Sequence, residues 1–192
     1  MGGSASQNFS YVEGAAYHEA AHIVIAAVQG LPLGKDGLRV YENGAGFAHY
    51  SGKQPDGSTN LGADPCREGT IIATLAGHIA HGKCYPPVEK GDANASDDFD
   101  RVRALLLEMY PDNSDQYREA QCALHKRSKE LVDQHWATIK ALATKLWDRD
   151  WLPQAPVANC REKHIEGEEV VSLLRLYGIP AAEKSGWNTG RV

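Results

Sequence analysis

No Cys-x-x-Cys pair, no run of basic residues and no long apolar stretch occurs in the 192-residue sequence, and each absence removes a class of protein. The four cysteines, Cys66, Cys84, Cys122 and Cys160, stand far apart, which excludes a thiolate zinc site and a disulfide framework; they read as reduced thiols of a cytoplasmic protein. A formal charge of −5 without a basic cluster argues against nucleic acid as a partner. The roughly 18 consecutive apolar residues that a membrane-crossing helix needs are nowhere present, and no secretory signal is visible. Met1-Gly2-Gly3-Ser4-Ala5-Ser6 has the spacing of a myristoylation signal, but a start rich in Gly and Ser reads more simply as a flexible terminus.

What is present is enough apolar material, 42% of residues, for one substantial core. We expect residues 1–10 to be flexible, 11–178 to form a single domain and 179–192 to be loosely held. Ser10 and Glu13 form a capping box ahead of a helix over Tyr11 to Val28, closed by Gly30 and Pro32. Asn43-Gly44 between two strand-like runs predicts a β-hairpin over 38–51, followed by a loop over 52–63. Asp64-Pro65 opens a second helix, whose buried stripe is Ile71, Ile72, Leu75, Ala76, Ile79 and Ala80. A loop from Tyr85 leads to Ser96, the expected cap of a third helix ending at Met109 with Phe99, Val102, Leu105, Leu106 and Met109 as its apolar stripe. An amphipathic pattern from Asp115 to about Arg149 predicts one long helix or two abutting ones, and after a connection over 151–161 a short helix runs from Ile165 to Leu176. The fold class is therefore mainly α with a small β-hairpin or sheet, an α+β arrangement.

The chemistry is concentrated in His18-Glu19-Ala20-Ala21-His22. Two histidines four apart on a helix are separated by roughly 6 Å of rise and about 40° of rotation, so both rings reach one tetrahedral ion. Glu19, on the flank of the same face, is placed to hydrogen-bond a water at that ion without ligating it, as a general base must. This is the zinc-hydrolase signature His-Glu-x-x-His.

A catalytic zinc needs a third protein ligand and one open position. The metzincin pattern requires glycine at 25 and histidine at 28, where the chain has Ile25 and Val28. On a wheel of the third helix Asp98 falls about 40° from the centre of the apolar stripe, whereas Asp97 and Asp100 fall on the solvated side. An inward carboxylate needs a partner, and a metal ion is one of the few that satisfies it. Asp98 ranks first as third ligand; Glu42, at the hairpin turn, ranks second. His78 and His81 permit a metal role by their spacing, but read more simply as hydrogen-bonded or partly exposed histidines.

Four blocks, Ala16 to His22, Ile71 to His81, Ala95 to Arg101 and Ile165 to Val170, resemble in order and spacing the peptidase domain of FtsH-type membrane proteases. The resemblance implies a zincin-like helical metallopeptidase with one Zn2+ held by His18, His22 and Asp98, the last matching the family's third ligand, and with Glu19 as base. It also implies that the strand Gly46-Phe47-Ala48-His49-Tyr50 borders the cleft and pairs with an extended substrate. His49 or Tyr50 would then be placed to stabilise an oxyanion. The chain departs from the family at Ala21, where glycine is usual, and at His78 to His81. It also carries no ATPase module and no membrane helices, so the expectation is an ATP-independent endopeptidase acting on unfolded or flexible polypeptides. Any separate unfoldase or homo-oligomer is left open. The alternatives are a non-catalytic, metal-containing peptide-binding adaptor and a hydrolase of small amides.

Overall fold

The computed structural model describes residues 4–51, 64–84, 93–110, 114–153 and 160–181. The loops expected at 52–63 and 85–92, most of the connection before Cys160 and the chain from 182 onward lie outside the described residues. Among the described residues, six helices and three strands follow in the order α1 (Ser4–Val28), β1 (Leu33–Tyr41), β2 (Gly46–Tyr50), α2 (Asp64–Cys84), α3 (Ala93–Met109), α4 (Asp115–Gln134), α5 (Trp136–Trp147), β3 (Glu162–Ile165) and α6 (Gly167–Leu176).

α1 is the central element, packed against α2, α5 and the sheet. It is apolar nearly all round from Ala15 to Ala27, which suits a helix covered on every side. It stops at Gly30, whose φ of +71° favours glycine. The Gly30 N–H donates to the Ala27 carbonyl and the Leu31 N–H to that of Ala26, a complete Schellman closure. The start differs from expectation: α1 begins at Ser4, so Ser10 lies inside the helix and is not its cap. α3 likewise begins at Ala93, ahead of Ser96. A side chain that suits a cap is also tolerated within a helix, and local pattern does not separate the two.

The sheet has the order β2-β1-β3 and is antiparallel throughout. The hairpin turn is tight: the Gly44 N–H donates to the Tyr41 carbonyl, and Gly44, at φ +85°, takes the left-handed position that favours glycine. β3 was not foreseen, and it corrects the final helix: Ile165 belongs to the strand, and α6 begins at Gly167. β3 pairs Ile165 with Leu38 and Glu162 with Tyr41. A four-residue strand stabilised by pairing with a distant segment leaves little local signal.

The expected Asp115–Arg149 pattern is two helices, broken at His135, whose φ of −103° and ψ of 17° leave the helical range. Leu124, Leu131, Ile139, Leu142 and Leu146 face the core. The third helix buries Val102 and Leu106 as expected, but Phe99 is 43% exposed. Ile179 and Ala181 are buried against the core. No described helix is long and apolar enough to cross a membrane.

Candidate metal centre

α1 presents His18, Glu19 and His22 on a face that α2 and α3 close over, and all three are at least 95% buried. The two imidazoles stand edge to face with centroids 4.5 Å apart. Asp98, one turn into α3, reaches across to them: its Oδ2 is 3.0 Å from His18 Nε2 and 3.1 Å from His22 Nε2. Two imidazole nitrogens and a carboxylate oxygen thus lie within 4.8 Å of one another, a group that can hold a metal ion. Tetrahedral bonds of about 2.0–2.1 Å would set such donors roughly 3.3 Å apart, within a few tenths of an ångström of these separations.

Asp98 Oδ2 is buried without a well-formed hydrogen bond, although both imidazole nitrogens lie within 3.1 Å of it. A buried acceptor left in that state is costly, and a cation between it and the two rings removes the cost. His22 is oriented for this. Its Nδ1 lies 2.8 Å from the Ala73 carbonyl oxygen. A carbonyl only accepts, so Nδ1 carries the hydrogen and donates, which aims Nε2 at the cluster.

Burial would raise the Asp98 carboxyl, but the imidazoles of His18 and His22 outweigh it and hold the group below the usual carboxylate range. Burial would lower His22, but Asp98 and then Glu19 prevail and push it up to about 9. The Glu19 carboxyl is pushed up by burial, which the two imidazoles only partly counter.

The structure thus brings His18, His22 and Asp98 together with Glu19 beside them. It leaves Glu42 outside: that side chain is exposed and accepts from Arg161 Nε at 2.6 Å. His78 and His81 are not in the three-donor group; His78 lies edge-on to Phe99, and the His81 ring is 6.5 Å from that of His18.

β2 runs beside the cluster with its residues alternating between two faces. Gly46 lies against the Glu19 carboxylate, and the Tyr50 ring is 6.1 Å from that of His22. Ala48 and Tyr50 pack on the core, whereas Phe47 and His49 form a ring pair on the other face. His49 there packs on Gly34 and pairs with Asp36, turned away from the cluster. Thr74 Oγ1 donates to the Thr70 carbonyl, so in its 3.0 Å contact with Tyr50 it is the acceptor and the Tyr50 hydroxyl is committed to it. Neither side chain therefore has a donor aimed at the cluster. The Arg101 guanidinium carbon lies 5.4 Å from the Tyr50 ring centroid, within cation–π reach.

Searches against protein-family models and curated proteins found no match.

Two features around the cluster escaped the sequence reading: the Ala73 carbonyl, and Gly77, where a Cβ would stand 2.5 Å from His22 Nε2 and 2.7 Å from His18 Nε2. Backbone carbonyls carry no sequence signal. Gly77 does, because an isolated glycine inside an otherwise regular helical pattern marks a packing or functional constraint.

Proposed function

We propose that this chain is an FtsH-like zinc metallopeptidase that hydrolyses peptide bonds in unfolded or flexible polypeptides without ATP. The reading rests on one observation: both histidines of the His-Glu-x-x-His helix and the inward Asp98 converge within 4.8 Å, with Glu19 buried beside them. Zinc is the ion favoured by two imidazoles and one carboxylate that leave a position open. Bound there, the ion supplies Lewis acidity to a carbonyl oxygen and acidifies water.

The chain's own residues do the rest. His22, with Nδ1 held by the Ala73 carbonyl, keeps its Nε2 in line for the ion, and Asp98 supplies the negative charge that offsets half of a divalent cation. Glu19 accepts a proton from the attacking water and delivers it to the leaving amine; its raised affinity for protons suits a group that must take one and give it back. Burial around Glu19 excludes bulk water from that transfer. Among the described residues β2 is an edge strand of its sheet and runs past Glu19, so an extended chain adding to its outer edge would lie alongside the reacting group. Main-chain pairing of that kind selects for extended, unfolded polypeptide. The dispersed free thiols Cys84, Cys122 and Cys160 suit a reducing compartment such as the cytoplasm.

The test is hydrolysis of a fluorescently labelled unfolded protein without ATP, comparing the zinc-loaded wild type with Glu19→Gln. Cleavage by the wild type that falls by about 10²–10⁴ in the variant, and disappears with chelator, is the expected result. If both proteins bind zinc and neither cleaves, the peptidase reading fails. Binding of peptides without turnover would then mark an adaptor, and turnover of small amides alone a hydrolase of another class.

A further inference from the structure

Gly77 lies midway along α2, where that helix passes directly beneath the two histidines. A Cβ on this residue would stand 2.5 Å from both Cε1 and Nε2 of His22 and 2.7 Å from Nε2 of His18. Those separations are far inside van der Waals contact, and the atoms met include both imidazole ligand nitrogens. A glycine in a helix interior is unfavourable by itself, because it adds backbone entropy to the unfolded chain and packs nothing. Gly82, five residues further on and on a different face of the helix, has nothing within 4 Å of its Cβ position. Of the three glycines of α2, Gly69 would place its Cβ 3.2 Å from the Gln29 Cβ, and Gly77 is the one whose Cβ would stand closer than 3.0 Å to other atoms.

We propose that Gly77 is a positioning residue of the metal centre: its missing side chain lets α2 approach closely enough for both histidine nitrogens to converge with Asp98. The inference rests on the His18–His22–Asp98 reading but not on the peptidase activity. The argument is geometric. To relieve the contact, a ring must move by nearly an ångström, whereas metal–ligand distances tolerate only about ±0.2 Å. His22 has no free direction in which to turn, since its Nδ1 is tied to the Ala73 carbonyl on this same helix, one turn before Gly77. A methyl at 77 therefore acts on both histidines at once, breaking either the Ala73 bond or the alignment of Nε2. The backbone itself is not strained: an alanine favours the helix more than the glycine does. The substitution thus separates two quantities that fall together at an ordinary core position. Metal affinity declines, and the stability of the metal-free helix does not decline through propensity.

The experiment compares wild type, Gly77→Ala and Gly82→Ala by zinc titration against a chromophoric chelator, by the visible spectrum of the cobalt-substituted proteins, and by thermal melting without metal. Loss of a supporting contact at a metal ligand commonly costs 10–100-fold in affinity. Because Gly77→Ala displaces two ligands, it is expected to lose at least about 100-fold and to alter the cobalt spectrum, while Gly82→Ala keeps both at the wild-type level. Zinc affinity of Gly77→Ala within threefold of wild type would overturn the inference. If Gly77→Ala does not fold, the double variant with His22→Ala, which removes the ring that the methyl meets first, is expected to regain a cooperative melt. Failure of that double variant, with His22→Ala alone folded, would equally overturn it. Absence of zinc from the wild type would instead overturn the metal reading beneath it, and absence of proteolysis would touch neither.

Discussion

The α1–α2 crossing and the α4–α5 pair are both packed into the same core, but they are made of opposite materials. Between α1 and α2 many of the buried residues are small, Ala16, Ala20 and Ala21 on α1 and Ala73, Ala76, Gly77 and Ala80 on α2, and three buried polar side chains, His18, Glu19 and His22, lie on α1 with them. α4 and α5 instead offer a stripe of Leu124, Leu131, Ile139, Leu142 and Leu146, backed by exposed charges such as Lys126, Arg127, Lys129 and Glu130. Small residues let backbones approach, so at the crossing the quantity that matters is the spacing between helices. Along α4–α5 it is the apolar volume delivered to the core. One region holds the candidate metal site, and the other braces it with apolar volume.

Substitutions can break that contrast. The largest effect is expected from His22→Ala, which removes one of three ligands: zinc affinity should fall by at least about 100-fold, more than loss of a supporting contact, in a protein that still melts cooperatively. Equilibrium dialysis with metal analysis checks it, and zinc retained at wild-type affinity would refute the ligand set. On the other side of the comparison, Ile139→Ala is expected to cost about 2–5 kcal/mol in denaturant unfolding and leave zinc affinity unchanged, because Ile139 is fully buried and far in function from the cluster. Its exposed neighbour in the same helical pair, Lys129→Ala, should stay within about 0.5 kcal/mol. A similar cost at the two positions would mean that α4–α5 does not work as an amphipathic brace.

The smallest effect concerns pH. Burial pushes the Tyr50 phenol up, against the opposing pull of Arg101 and the Thr74 bond. The folded protein thus holds this proton more tightly than the unfolded chain does. The stability so contributed is complete below the ordinary tyrosine pKa of about 10 and is lost as pH rises through the higher folded value. The melting midpoint is expected to fall above that pH, and Tyr50→Phe to remove part of the fall. An unaltered alkaline profile in the variant would show that the buried polar region is not the alkali-sensitive one.

The residues that carry the site were legible before any coordinates. His18, Glu19 and His22 follow from a spacing that the helix converts directly into a shared face, and Asp98 from its angle to the apolar stripe of α3; both are consequences of a 3.6-residue period. The helical majority and the hairpin at Asn43-Gly44 were legible for the same reason, since period and turn chemistry are local. The outline blurred wherever the deciding contact was distant. The starts of α1 and α3 lie upstream of Ser10 and Ser96, which look like caps. Phe99 belongs to the stripe by angle yet remains 43% exposed, because burial depends on what stands opposite. β3 exists through its pairing with β1.

The sequence by itself determined which donors the protein offers and on which helical faces they lie, because that information is periodic and carried within single segments. Only the tertiary structure decided that α3 lays Asp98 Oδ2 within 3.1 Å of both histidines, that the Ala73 carbonyl orients one of them, that Tyr50 is committed to Thr74 and His49 turned away, and that Gly77 must lack a side chain. Each of these depends on the distance between two segments far apart in the chain. That distance is set by the packing of whole helices, which no local period encodes.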